Sequence, residues 1–256
     1  MEHLLIAPWI LAILFGAVAF LYSSVGLAGG SSYIALLTIF GVDYLTIPTV
    51  ALSMNIMVST LGAWNFFRGR HVRPQLIWPF LVSAIPLAWI GGTVRLPART
   101  FDILLMVFLA IVALRIYCFS SFQPLTRRPG RRAALVISLL IGSGLGFISG
   151  ALGLGGGIYL IPLIVLFGLG SQKEAAACAV FFIWVNSTVG LAARLSNQPV
   201  PSLSVLLPLL IAVAAGGYTG SFLGANHFSP RAMQRLLGVI ILVAILFLGR
   251  KMFFSC

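Results

Sequence analysis

Three kinds of residue in this sequence could do chemistry: paired glycine clusters, polar side chains inside apolar runs, and arginines at the ends of those runs. The clusters are Gly26-Leu27-Ala28-Gly29-Gly30 and Gly153-Leu154-Gly155-Gly156-Gly157, each near the middle of a long uncharged run. Glycine lets a backbone leave the helical region at little steric cost. A helix restarting at Ser31-Ser32, or at Gly156-Gly157, then presents free N–H groups and a positive dipole end, a setting that suits an anion. Irregular backbone at membrane depth is tolerated only where it is buried or lines a cavity. Close helix packing is the plainer reading of one such cluster. Two clusters at equivalent places favour a functional break. The expected backbone donors lie at Gly29, Gly30, Ser31 and Ser32, and at Gly155, Gly156 and Gly157.

The polar side chains follow each cluster. Ser53, Asn55, Ser59, Thr60 and Asn65 lie in one run, and Asn186, Ser187 and Thr188 in another. Asn55 and Ser59 are four apart and share a helix face. Neutral donors can hold an oxyanion without burying a full charge. Interhelical hydrogen bonding, worth under ~1 kcal/mol on average, is the competing role. Asn55, Ser59, Thr60, Asn186, Ser187 and Thr188 are the candidates for a substrate wall. Arg68 and Arg194 close the same runs and are expected to snorkel to the headgroups. Trp64 and Trp184 read as interface or packing residues.

Other chemistry is missing. The carboxylates are Glu2, Asp43, Asp102 and Glu174, none in mid-run. That leaves no buried acid for proton coupling. There is also no paired-acid site, no Ser/His/Asp set and no P-loop lysine. His3, His71, His227, Cys118, Cys178 and Cys256 show no metal-ligand spacing. No metal or cofactor is expected. A membrane enzyme is disfavoured, and an ATP-driven pump within this chain alone is excluded.

These residues must be positioned by membrane helices. Of 256 residues, 60% are hydrophobic and 8% charged, against roughly 25% charged in soluble domains. The net charge of +12 sits in short loop clusters, which indicates positive-inside topology rather than nucleic-acid binding. Uncharged runs at 4–42 and 133–172 are each about twice one span. Each reads as a helix, a glycine break and a shorter element. No basic residue precedes the first run, so it reads as mature protein rather than a cleaved signal. Further spans are expected near 44–67, 75–94, 100–118, 174–194, 203–224 and 232–249. The runs are continuous, not alternating, so a β-barrel is excluded.

The order of features repeats. Gly26 and Gly153 are 127 positions apart, Phe40-Gly41 falls on Phe167-Gly168 at the same offset, and Ser59-Thr60 falls one residue later on Ser187-Thr188. We expect an all-α polytopic protein of two homologous halves, 1–118 and 133–256, joined by a basic cytoplasmic linker at 119–132. Each half has 4–5 membrane segments. If the short element crosses, the halves are inverted; if it is re-entrant, they are parallel. The basic loop 68–73 against its uncharged counterpart 195–202 slightly favours inversion.

The segment Gly150-Ala151-Leu152-Gly153-Leu154-Gly155-Gly156-Gly157-Ile158-Tyr159-Leu160-Ile161-Pro162 resembles the glycine-rich motif of the sulfite exporter TauE/SafE membrane permeases. Gly26-Leu27-Ala28-Gly29-Gly30-Ser31 resembles a first-repeat copy, with Ala28 and Ala35 standing where the second copy has Gly155 and Pro162. The resemblance implies a multi-pass permease of a bacterial inner membrane that exports sulfite, a sulfonate or a sulfoacetate-like anion. The partners expected are this small anion and the lipid bilayer, with no nucleic acid and a homo-oligomer left open. The two breaks would face each other near the midplane. The alternatives are a permease for another small anion or a metal cation, and a non-transporting membrane scaffold.

Overall fold

The computed structural model describes residues 8–40, 46–94, 130–196 and 203–229, with single positions outside these ranges. Eight helices are described: α1 (Pro8–Ser24), α2 (Gly30–Ile39), α3 (Ile47–Arg68), α4 (Pro74–Thr93), α5 (Arg131–Leu152), α6 (Gly157–Leu166), α7 (Gln172–Leu195) and α8 (Leu203–Asn226). Five of them, α3, α4, α5, α7 and α8, are long and apolar enough to cross a membrane. The expected linker 119–132 (but for its last three residues) and the expected spans at 100–118 and 232–249 (but for scattered positions) lie outside the described residues, as do Glu2, His3, Asp43, Asp102, Cys118 and Cys256.

Local chemistry sets the helix ends. Pro74 opens α4, where a missing N–H costs nothing. Ser171 and Glu174 form a reciprocal capping box at the start of α7. α5 ends on Gly153 in the left-handed region, whose N–H donates to the Ser149 carbonyl, and α6 begins after Gly156 at φ 73°. Gly26 and Gly29, at φ 84° and 95°, turn the chain between α1 and α2.

Small residues set the pairing, as expected where lipid removes any hydrophobic drive between helices. α1 lies along α8 through Gly16, Gly216, Gly220 and Gly224; a Cβ on the last three would overlap the carbonyls of Gly16, Phe20 and Ser24. α5 lies along α4 through Gly142, Gly146 and Gly150, which face Phe80, Ala84 and Ala88. Both pairs run parallel, since contacts advance together along each. α3 and α7 run antiparallel: Gly62 meets Val180 while Gly190 meets Leu52. Large apolar side chains such as Ile13, Trp78, Leu140 and Ile211 point outward.

One end of this bundle is basic. His71 Nε2 and Lys173 Nζ both donate to the Ala225 carbonyl, at 2.9 and 3.1 Å. Arg73 pairs with Glu174 at 3.1 Å. The α3–α4 turn, the start of α7 and the end of α8 therefore share this end. Among the described residues, Arg68, Arg70, Arg131 and Arg132 also lie at this end.

The helix directions then fix two hairpins. α1 runs towards the basic end and α2 returns, because α3 starts at the far end. α5 runs away from the basic end and α6 returns, because α7 starts there. α2 and α6 have 10 residues each, or ~15 Å, about half the hydrocarbon core. The hairpin tips overshoot each other. Gly26 rests on Ala176, one turn from the basic end, and Gly153 rests on Pro48 in the first turn of α3. This corrects the expectation that both breaks lie at the midplane. Only the start of α2 and the Leu154–Gly155 stretch meet centrally.

Candidate functional site

Asn55, near the middle of α3, is fully buried. Its Nδ2 donates to the Gly153 carbonyl at 3.4 Å, and its Oδ1 has no hydrogen-bond partner among the described residues. Gly30, which opens α2, lies against it. A Cβ on Gly30 would stand 2.6 Å from Asn55 Nδ2 and 2.9 Å from the Leu154 carbonyl oxygen. A Cβ on Gly155 would stand 3.2 Å from the same Nδ2 and 2.8 Å from Ile183. Gly157, which opens α6, lies against Ile183. So the starts of both short helices converge on one cluster, with Asn55 against one and Ile183 against the other. The wall is polar on α3 and aliphatic on α7.

Buried polar groups on α5 and α7 have no hydrogen-bond partner among the described residues. Asn186, Ser187 and Ser149 are 0% exposed. Neither amide atom of Asn186, nor either serine hydroxyl, has a partner among the described residues. Each such group costs roughly 1–3 kcal/mol, and native interiors rarely tolerate one without a reason. Ser149 and Phe182 flank Gly156, whose Cβ would stand 3.3 and 2.9 Å from them. Asn186 is one turn beyond Phe182 and Ser187 one turn beyond Ile183, so each shares the face that meets the break.

The first break has a hydroxyl cluster instead. Tyr22 Oη lies 2.7 Å from Ser32 Oγ and 3.3 Å from Ser31 Oγ, tying the end of α1 to the first turn of α2. Sequence reading passed over Tyr22 and Ser149 because it took aromatics as packing and sought polar residues only after the breaks. A signal was present: at the offset of 127, Tyr22 corresponds to Ser149 and Ser32 to Tyr159. A tyrosine–serine pair flanks each break, in reversed order.

Not every predicted residue joins the cluster. Gly30, Asn55 and Gly155 meet one another, Gly157 shares Ile183 with Gly155, and Ser31 and Ser32 meet Tyr22. Ser59 is buried but its hydroxyl donates to the Asn55 and Ile56 carbonyls of its own helix. Thr60 and Thr188 are exposed, and donate to Ile56 and Trp184 at 2.7 and 2.8 Å. They face outward, which corrects their placement in the wall. One residue is a rotation of about 100° on a helix, enough to carry Thr60 off the face that holds Asn55. Asn65 donates to Ser221 Oγ at 2.8 Å and so joins α3 to α8.

The two arginines differ. Arg68 is exposed and lies over Trp64, as snorkelling predicts. Arg194 does not snorkel. It is buried, and its Nη2 donates to the Ala151 and Gly150 carbonyls at 2.8 and 3.3 Å, closing the C-terminal end of α5 beside the break. The carbonyls that end a helix attract a cation, and here they draw Arg194 inward. Losing a charged hydrogen bond costs about 2 kcal/mol, and each kcal/mol moves the midpoint of a chain this long by about 2–4 °C. Arg194→Met should therefore unfold about 4–8 °C lower in detergent, while Arg68→Met matches wild type. Equal midpoints for both variants would refute the capping role.

Apolar helices here enclose broken backbone and a set of buried polar side chains. Comparison with known proteins assigns them to a family. Residues 10–248 match the family model described as Sulfite exporter TauE/SafE. The probable membrane transporter protein y4hK of Sinorhizobium fredii is 33% identical over 245 residues, covering 91% of this chain and 95% of that protein. The probable membrane transporter protein YunE of Bacillus subtilis is 22% identical over 260 residues, covering 91% and 92%. No solved structure matches. With the match running through both glycine breaks and every described helix, this multi-pass membrane permease belongs to the sulfite exporter TauE/SafE family.

Proposed function

We propose that the chain exports a small sulfur-containing anion, such as sulfite, a sulfonate or a sulfoacetate-like compound. The observation that carries this reading is the convergence of the two helix starts, at Gly30 and near Gly155–Gly157, on buried neutral donors. Backbone N–H groups at Gly29, Gly30, Ser31 and Ser32 and at Gly155, Gly156 and Gly157 would hold the anionic head. Asn55, Asn186 and Ser187 would complete the wall. Segments 1–118 and 133–256 would act as inverted halves. The opposed α3 and α7, and the crossed pairing of α1 with α8 and α5 with α4, support that reading. The basic end would face the cytoplasm.

Alternating access would come from one half rocking against the other, exposing the cluster to each side in turn. Coupling needs no buried acid in this scheme. A negative interior drives an anion outward by about 2.3 kcal/mol per charge per 100 mV. An exporter can therefore run as a uniporter. In proteoliposomes, efflux of sulfite or sulfoacetate should rise with an imposed inside-negative potential and should not need a pH gradient. Voltage-independent flux, or strict dependence on a proton gradient, would overturn the uniport mechanism.

A further inference from the structure

Tyr33 has no role in the site as drawn from glycines and amides. It stands in the first turn of α2 and is 0% exposed. Its ring stacks on Phe15 with centroids 5.3 Å apart, a packing role that phenylalanine would fill equally well. The hydroxyl is different. It is buried and has no hydrogen-bond partner among the described residues. A buried hydroxyl that donates to nothing destabilises the fold, and the packing of the ring does not require it.

The hydroxyl points at the start of its own helix. Helical side chains lean back in that direction, and a Cβ on Gly29 would stand 3.1 Å from Tyr33 Oη and 2.9 Å from its Cζ. The Tyr33 N–H donates to the Gly29 carbonyl at 3.0 Å, so Gly29 caps α2. The N–H groups of Gly30, Ser31 and Ser32 come before that bond and have no partner within the helix. A positive helix end and an unspent phenol proton therefore share one place. The neighbouring hydroxyls are engaged with one another: Tyr22 Oη lies 2.7 Å from Ser32 Oγ and 3.3 Å from Ser31 Oγ. The second half lacks the phenol. At the offset of 127, Tyr33 corresponds to Leu160 and Ser31 to Ile158, both buried. Aliphatic side chains stand in α6 where α2 carries hydroxyls.

We propose that Tyr33 is a substrate-binding residue, whose hydroxyl donates a hydrogen bond to an oxygen of the transported anion at the start of α2. The inference rests on the export reading above and narrows it. Recognition at the two helix starts is unequal, and the oxygens of the anionic head are read at the first. Free N–H groups and the helix dipole attract anions in general. A separate phenol proton adds a contact that suits an oxyanion, such as sulfite or a sulfonate head. Such a head can offer one oxygen to Tyr33 while the N–H groups hold the others.

The test uses the full chain in proteoliposomes, measuring sulfite and sulfoacetate flux for wild type, Tyr33→Phe and Tyr218→Phe. Tyr33→Phe should raise the KM for both anions about tenfold or more, the loss expected for a hydrogen bond to a charged group. Maximal flux should stay within about twofold, because the phenol acts on ground-state affinity. Tyr218 is an exposed tyrosine of α8, and its phenylalanine variant should match wild type. Tyr33→Phe removes no hydrogen bond seen in the structure, so its unfolding midpoint in detergent should hold or rise. The sulfite concentration that half-saturates the ligand-induced rise in midpoint should increase about tenfold as well. Unchanged KM in Tyr33→Phe overturns the assignment while leaving the export reading intact. So does a Tyr33→Phe chain that fails to insert or unfolds several degrees lower, since the hydroxyl would then serve the fold. Wild-type liposomes that carry neither sulfite nor sulfoacetate overturn the export reading, and the role of Tyr33 with it.

Discussion

Alanine at Gly30 is expected to cut anion flux by about 100-fold while the chain remains inserted in the membrane. The added methyl would stand 2.6 Å from Asn55 Nδ2 and 2.9 Å from the Leu154 carbonyl oxygen. Neither neighbour yields cheaply. Asn55 is a short side chain held at Gly153, and Leu154 is backbone inside the second break. Overpacking of this kind costs about 1–3 kcal/mol, too little to stop insertion of the long apolar helices. Its effect on transport should be far larger, because a displacement of ~1 Å between positioned groups can cost about 100-fold. Gly144→Ala is the control, since a Cβ there meets nothing within 4 Å. Flux measured in proteoliposomes should be lost in the first variant and kept in the second. Wild-type flux in Gly30→Ala would show that the two breaks need not meet for transport.

Gly30 was legible in the sequence because two glycine clusters at equivalent places, inside runs twice the length of a span, favour a break over simple helix packing. Asn55 was legible for a similar reason, as an amide in the middle of an apolar run. What sequence lacks is the phase of each helix relative to its partners. Ser59 and Thr60 are adjacent, and only the packing of α3 on α7 and α8 decides that the first is buried and the second exposed. Arg194 was misread on the same ground. An arginine ending an apolar run normally reaches the headgroups, and only the end of α5 arriving beside it supplies carbonyls that favour burial. The hairpin tips were placed at the midplane because a glycine break has no depth in sequence. Their depth comes from Gly26 meeting Ala176 and Gly153 meeting Pro48, contacts between distant parts of the chain.

Asn55→Asp should abolish anion flux at neutral pH, and it separates anion from cation transport directly. The two side chains are nearly the same shape, so packing against Gly30 and Gly155 is preserved. Their hydrogen-bonding character is not. An ionised aspartate has no proton to give, so the donation to the Gly153 carbonyl is replaced by repulsion between two oxygens. The same charge opposes any anion entering between the helix starts. At an effective dielectric constant of 20, two like charges 4 Å apart repel by about 4 kcal/mol, equivalent to a loss of about 1,000-fold. Protonation reverses both effects, because the neutral acid regains one donor and loses its charge. Flux of an alkanesulfonate, whose own charge does not change with pH, should therefore return as the medium is acidified. A cation permease would show the opposite pattern, with flux kept or raised by the ionised side chain and lost on acidification. Anion flux at wild-type rates in Asn55→Asp at neutral pH would remove Asn55 from the pathway. The N–H groups at the two helix starts would then have to hold the substrate without it.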